Sequence, residues 1–79
     1  MPGSREITGA TLTVSTMGGY SVTCGGKYIG YIHATVGDQW NAYVRRVGEP
    51  DDHLGRFGQE EAVRRIVLAA AEAADRAVR

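Results

Sequence analysis

The chain lacks the cysteines for an internal disulfide and the surplus charge for non-specific attraction to a polyanion. Cys24 is its one cysteine, and nine basic residues balance nine acidic residues. Proteins that bind nucleic acid through phosphate contacts usually carry a basic excess. The neutral charge therefore argues against a partner that is held by non-specific electrostatics, and the lone cysteine requires that the fold hold together without a covalent link.

Long apolar runs are missing as well. No run approaches the roughly 20 apolar residues that cross a bilayer, and no succession of basic, apolar and small residues marks a secretory signal. The chain has 79 residues, and a chain of this size buries only about 60–65% of its unfolded surface. We therefore expect one small domain over residues 1–79, with no membrane partner and a cytoplasmic location.

Three patterns that suggest chemistry lack their necessary companions. The acidic segment 51–53 ends in a histidine but has no paired-ligand spacing of the kind that holds a metal ion. Cys24 and His33 could act as nucleophile and base, but Cys24 falls at an inward strand position, where cysteine is usually a small core residue. The segment 25–27 (Gly-Gly-Lys) lacks the rest of a phosphate loop and precedes a strand. We expect neither an enzyme nor a bound cofactor or metal ion.

The strongest secondary-structure signal lies at the C-terminal end. Residues 59–78 contain no proline or glycine and are rich in alanine, arginine and glutamate, which favour helices. Apolar residues such as Ile66 recur on one side at helical spacing, while Glu60 and Glu61 lie in the first turn, at the positive end of the helix dipole. The pattern predicts an amphipathic helix over residues 59–78 that packs through its Ile66 side.

Short alternating segments precede this helix. They are rich in β-branched and aromatic residues and are separated by glycine-containing turns, which is typical of an antiparallel meander. The predicted strands cover residues 11–16, 20–24, 28–36, a segment that starts at Trp40, and 54–57. We therefore predict an α+β fold: an antiparallel β-meander of four to five strands over residues 11–57, with one C-terminal α-helix packed on one face. Residues 1–9 are expected to form a flexible N-terminus.

Turn length decides which side chains of the third strand face the helix. Two-residue turns on both sides of it would place Tyr31 and His33 on the helix side. Three-residue turns would place Ile32 and Val36 there instead, because a shift of one residue exchanges the two faces. The second arrangement buries more apolar area and is preferred. It leaves six residues on the open face: Tyr31, His33, Thr35, Asn41, Tyr43 and Arg45.

The second half of the chain carries a pattern found in a known family. In order, its residues are Trp40, Ala42, Val44 and Arg45, a loop, then Leu54, Gly55 and Phe57, and then Glu60, Glu61 and Ala62. Over roughly residues 30–70 this pattern resembles AP2-type DNA-binding domains and is similar to the arm-binding domains of phage-type integrases. In that family a three-stranded sheet packs on one helix and inserts its open face into the DNA major groove. The resemblance implies DNA-facing roles for Asn41, Tyr43, Arg45 and Arg56.

The open face is the predicted docking surface. Aromatic and arginine side chains are enriched in binding hot spots. The candidate residues are Tyr31, His33, Asn41, Tyr43, Arg45 and Arg56. We expect a small binding module, foremost a DNA-binding accessory or regulatory protein of phage or mobile-element type. The alternative is an inhibitor or adaptor that binds a larger host protein, and a small enzyme is the second alternative.

Leu68 stands apart from the apolar side of the predicted helix. It falls among charged residues such as Arg64, Arg65 and Glu72. A single exposed leucine is common on protein surfaces. The other interpretation is a helix-to-helix contact across a two-fold axis. We therefore expect a monomer or a weak homodimer, with Leu68 as the candidate self-association residue.

Overall fold

The computed structural model of the chain describes residues 4–7, 9–15 and 18–77, with side chains for all of these except 4, 5 and 75–77. Within this part the fold is α+β. Its elements are β1 (Ser4–Ile7), β2 (Ala10–Val14), β3 (Gly19–Cys24), β4 (Lys27–Ala34), β5 (Trp40–Val44), β6 (Asp52–Phe57) and α1 (Gln59–Ala77). The six strands form one antiparallel sheet in chain order, so the predicted meander with one C-terminal helix is confirmed.

The sheet has six strands, and the prediction of four to five is wrong in number. Residues 1–9 are predicted to be a flexible segment, but Ser4–Ile7 pair with β2 in register from Ser4↔Thr13 to Ile7↔Ala10. Residues 1–3 and 8 lie outside the described residues. Ile7 is buried, and Gly9 adopts the positive φ of 79° in the turn between β1 and β2. Burial of Ile7 and pairing with β2 give this strand the stabilisation that its short sequence pattern does not reveal.

Other boundaries shift by one or two residues. β2 begins at Ala10, β4 ends at Ala34 and β6 begins at Asp52, two residues before the predicted strand. Residue 16, the predicted end of the first strand, and residue 78, the predicted end of the helix, lie outside the described part of the chain. Val36, predicted to face the core, instead lies in the β4–β5 loop and is 75% exposed.

The helix begins where its N-terminal signals indicate. The Gly58 carbonyl accepts a hydrogen bond from the Ala62 N–H at 2.8 Å, which makes Gly58 the capping residue. Phe57, directly before the cap, is half-buried against the core. The Arg65 guanidinium lies 5.0 Å from the centre of the Phe57 ring and covers its outer side. The last strand is thus fixed to the first two turns of α1.

The core lies between the helix and one face of the sheet. Its largest fully buried side chains are Leu12, Val22, Ile32, Val44, Val63 and Ile66. The helix contacts β4, β5 and β6, and it also reaches β1. In a flat sheet β1 and β4 would be separated by three strand spacings of about 4.8 Å each. Because one helix contacts both strands, the sheet must curve around it. Trp40 packs against this core from β5, half-buried, with its ring 5.6 Å from that of Tyr20.

A β-bulge in β4 decides which face Tyr31 and His33 occupy. The turn between β3 and β4 contains two residues, Gly25 and Gly26, both with positive φ. Such a turn alone would direct Tyr31 into the core. The register shifts at Ile29, however, so that Val22 pairs with Gly30 rather than with Ile29. Ile32 is therefore buried and Tyr31 lies on the open face, as in the preferred arrangement, but by a bulge rather than by a three-residue turn.

Candidate docking face

Three rings form a continuous row across the open face of β4, β5 and β6. Tyr31 pairs with Tyr43, and Tyr43 pairs with His53. The two tyrosine rings stack with centroids 4.7 Å apart and an interplanar angle of 15°. His53 continues the row at 4.9 Å from the Tyr43 ring, tilted by 33°. Because each ring contacts the next, the stacking restricts the freedom of all three side chains. We call these three residues the ring row.

A second bulge brings His53 into the ring row. The register of β5 and β6 shifts between Ala42↔Gly55 and Tyr43↔His53, which leaves Leu54 as the extra residue. Leu54 packs against the core, so its neighbour His53 takes the outward position opposite Tyr43. Gly55 has a φ of 131°, a backbone conformation that residues other than glycine rarely adopt. His53 cannot be recognised from the sequence, because the predicted strand begins only at residue 54 and the bulge interrupts the alternation that would reveal His53.

The next row along the same face contains the predicted polar residues. Asn41 pairs with His33 on one side and with Arg56 on the other. Its Oδ1 lies 3.0 Å from Nε2 of His53, a hydrogen bond that joins this row to the ring row. The structure therefore brings together five of the six predicted residues, namely Tyr31, His33, Asn41, Tyr43 and Arg56.

Arg45, the sixth predicted residue, lies at the margin of this face. Its backbone N–H donates to the Ile29 carbonyl at 2.9 Å, just beyond the end of β5. Its guanidinium lies 5.8 Å from the centre of the Tyr28 ring, which is a cation–π contact. Tyr28 is a second residue that the sequence analysis leaves out of the site. The bulge at Ile29 shifts the alternation of β4, so the sequence pattern does not indicate that Tyr28 lies on the same face as Tyr31.

The arginines divide into two groups by their ion pairs. Arg46 contacts Asp52 at 3.0 Å, while Arg64 and Arg65 contact Glu61 at 3.2 and 2.7 Å. Among the arginines with described side chains, the remaining two are Arg45 and Arg56, and neither guanidinium has a hydrogen bond or ion pair to another described residue. Both belong to the open face or its margin. Of the described arginines, the two without an ion pair are therefore Arg56 on the open face and Arg45 at its margin.

The tyrosine hydroxyls of β4 keep their protons at neutral pH. Partial burial raises the pKa of both Tyr28 and Tyr31 above the ordinary value, and the nearby Asp51 carboxylate raises the pKa of each further. The Arg45 guanidinium opposes this effect at Tyr28. Neutral phenols donate hydrogen bonds. The face thus offers hydroxyl donors beside guanidinium donors, a combination that suits an acceptor-rich partner.

The residues considered for catalysis do not come together. Cys24, predicted to face inward, is exposed at the hairpin end of β3, where its Sγ lies 3.8 Å from the Gly9 carbonyl. His33 pairs with Gly19 at the opposite end of β3, five residues away, which is about 17 Å along a strand. The nucleophile–base pair is therefore not formed.

The acidic segment 51–53 takes other roles. Asp52 pairs with Arg46, and His53 belongs to the ring row. Among the residues that the structure describes, no three His, Cys, Asp or Glu side chains are placed to hold a metal ion. Asp51 accepts a hydrogen bond from the Arg46 backbone N–H at 3.4 Å, so each member of the segment has a contact of its own.

Leu68 lies on the outer side of α1, where its side chain is 54% exposed. The first half of that side carries the ion pairs of Glu61 with Arg64 and Arg65. In the described part of the chain, no helix has the length and apolar character to cross a membrane.

Comparisons with known protein families, with curated proteins and with solved structures found no match to this chain.

Proposed function

We propose that this protein is a DNA-binding accessory or regulatory module, of the kind found in phages and mobile elements, that docks through the open face of β4, β5 and β6. The guanidiniums of Arg45 and Arg56, which have no ion pair or hydrogen bond to another described residue, carry this proposal. Three other arginines with described side chains form ion pairs with carboxylates, Arg64 and Arg65 sharing Glu61, whereas these two have no ion pair among the described residues. A phosphate backbone or a guanine edge would supply the acceptors that they lack.

The spacing of two neighbouring strands suits a duplex groove. β5 and β6, which carry Asn41 and Arg56, are neighbours at one edge of the six-stranded sheet, about 4.8 Å apart. The major groove of B-DNA is about 12 Å wide and admits a two-stranded β-ribbon. Neutral net charge is compatible with this mode because a few well-placed guanidiniums, rather than a general basic excess, would hold the duplex.

A protein partner is the second candidate, and the ring row favours it. Tyr31 and Tyr43 are stacked in the free chain, so little side-chain freedom would be lost when a partner covers them. Zero net charge is no disadvantage for such an interface. In this case the tyrosines would dominate the affinity and salt would have little effect.

The test begins with a randomised library of DNA duplexes, enriched on the immobilised chain. Affinity for the enriched duplex should fall steeply between about 50 and 200 mM salt, since phosphate contacts release counterions. The double variant Tyr43→Ala/Arg45→Ala should bind about tenfold more weakly or worse, and its salt slope should be smaller by about 1.

Two controls accompany this measurement. The double variant must retain the parent melting temperature, so that a loss of binding reports on the face rather than on folding. The variant Arg64→Ala removes the same positive charge from the helix and should bind like the parent. If the folded double variant binds as tightly as the parent, the open face is not the site, and the side of α1 with Arg64 and Leu68 becomes the next candidate. If the chain instead binds a protein, and this binding depends on Tyr43 but not on salt or on DNA, the second candidate is supported.

A further inference from the structure

His53 controls the orientation of the Asn41 side chain on the open face. With Nε2 of His53 donating to Oδ1 at 3.0 Å, the carbonyl of the Asn41 amide points toward His53 and the amide nitrogen points away. The His53 ring is held in turn by its contact with Tyr43, 4.9 Å between centroids. Asn41 therefore presents a fixed donor and a fixed acceptor, and the bulge at Leu54 is what makes this possible.

We propose that Asn41 reads an adenine edge in the major groove, with His53 as its positioning residue, and that Arg56 reads a neighbouring guanine. This inference rests on the proposed function. Adenine presents the N7 acceptor and the N6 donor, which match the amide nitrogen and the oxygen of an asparagine. The Asn41 oxygen has two lone pairs, so it can accept from adenine N6 while it accepts from His53.

Arg56 is better placed than Arg45 for the second base. It is exposed, it is the cross-strand partner of Asn41, and its guanidinium has no partner among the described residues. Guanine offers two acceptors, O6 and N7, to a guanidinium fork. Arg45 lies instead over Tyr28 at the end of β5, a position that suits a phosphate contact at the rim.

The spacing of the strands limits the distance between the two bases. Asn41 and Arg56 are cross-strand partners, about 4.8 Å apart in the sheet. Successive nucleotides of a strand rise by about 3.4 Å along the duplex axis. The adenine and the guanine should therefore lie no more than two base pairs apart in any duplex that the chain selects.

The experiment measures base preference rather than affinity alone. Duplexes enriched from a randomised library are changed one base pair at a time and titrated with the parent chain, Asn41→Ala, His53→Phe and Arg56→Lys. The parent should prefer adenine at one position and guanine within two base pairs of it, each by about 10- to 100-fold. Asn41→Ala should remove the adenine preference, and Arg56→Lys should relax the guanine preference alone.

His53→Phe is the decisive variant because it keeps a ring against Tyr43 but removes the hydrogen-bond donor. His53→Phe should relax the base preference at the adenine position and leave the base preferences at the other positions unchanged. His53→Gln restores a donor and should recover part of the preference, an outcome that a merely structural role of His53 would not produce. Both substitutions fall on an exposed side chain, and melting temperatures check that each variant is folded.

The outcomes separate this inference from the proposed function. If no duplex is enriched, both are overturned. Suppose that a duplex is enriched and that Tyr43→Ala/Arg45→Ala weakens its binding. If Asn41→Ala and His53→Phe then leave every base preference unchanged, the proposed function stands and this inference is overturned. The inference also fails if Asn41→Ala and His53→Phe relax the base preference at different positions of the duplex. Loss of the same adenine preference in both supports it.

Discussion

Gly30 sets the distance between the helix and the sheet. It lies in β4 between Val22 and Val44, directly below the helix. A Cβ atom added there would lie 2.9 Å from Cγ2 of Ile66 and would also press on the Tyr43 carbonyl. Tyr43 belongs to the ring row, so the same glycine links the packing of the core to the backbone of the open face.

We predict that Gly30→Ala lowers the free energy of unfolding by about 1–3 kcal/mol, because the extra methyl group overpacks the core. Thermal or urea denaturation measures the change. Gly58→Ser is the matched control: Gly58 has open space around its Cα, and serine is a favoured capping residue. The control should be neutral or slightly stabilising. Equal stability of Gly30→Ala and the parent would show that α1 does not approach β4 as described.

Single residues were the least predictable part of this molecule. The apolar positions Val22 and Val44 are recognised as core from alternation, and Ile32 is recognised only by choosing the register that buries more apolar area. His53 and Tyr28 are not recognised, because no local residue preference predicts the register shifts at Ile29 and Leu54. A bulge forms where packing of the whole sheet favours it, and that packing is invisible to a pattern with a period of two.

At the scale of elements, the helix was the easiest to predict. Its composition, its acidic first turn and the apolar side with Ile66 each indicate the same segment, and the structure places α1 at Gln59–Ala77. β1 was missed because a four-residue strand has too few residues for alternation to be distinguished from chance. The loop between β5 and β6 was predicted too long because Pro50 and the acidic residues obscured the start of β6.

The first turns of α1 have a pH-dependent contribution to stability. The hydrogen bond from Arg65 lowers the pKa of Glu61 below its ordinary 4.5, and the charge of Arg64 lowers this pKa further. A carboxyl group whose pKa is lowered by folding stabilises the fold above its unfolded pKa. That contribution is lost as the pH falls from about 4.5 through the lowered pKa of the folded state.

We predict that Glu61→Gln lowers the melting temperature slightly at pH 7 and that this difference disappears as the pH is lowered below the folded pKa of Glu61. High salt should also reduce it, because the pairs are exposed. Glu60→Gln removes the same charge from the same turn but breaks no described ion pair, so it should have the smaller effect at pH 7. A difference between Glu61→Gln and the parent that is constant from pH 7 to pH 3 would contradict the assigned ion pairs.

At the scale of the whole molecule, two surfaces are candidates for association, the open sheet face and the outer side of α1. On the helix, Leu68 remains the candidate for self-association, with 54% of its side chain exposed. A two-fold contact would bring Leu68 of one copy against that of the other. This surface and the ring row lie on opposite sides of the sheet, so the two kinds of association need not exclude each other.

We predict that any dimer formed by this chain dissociates when Leu68 is replaced by glutamate, because the substitution places two like charges at the contact. Light scattering over a range of concentrations measures the mass. Glu72→Ala, a change at an exposed position one turn along the helix, serves as the control and should leave the mass unaltered. A dimer whose mass is the same with Leu68→Glu would exclude this surface.

NMR titration of the labelled chain with an enriched duplex shows, residue by residue, whether the open face of β4, β5 and β6 is the DNA-binding surface that we propose. We predict that the largest amide and side-chain shifts fall on Tyr31, Asn41, Tyr43, His53 and Arg56, with α1 nearly unchanged. Shifts concentrated on α1 around Arg64 and Leu68, with the ring row unmoved, would show that the duplex binds elsewhere.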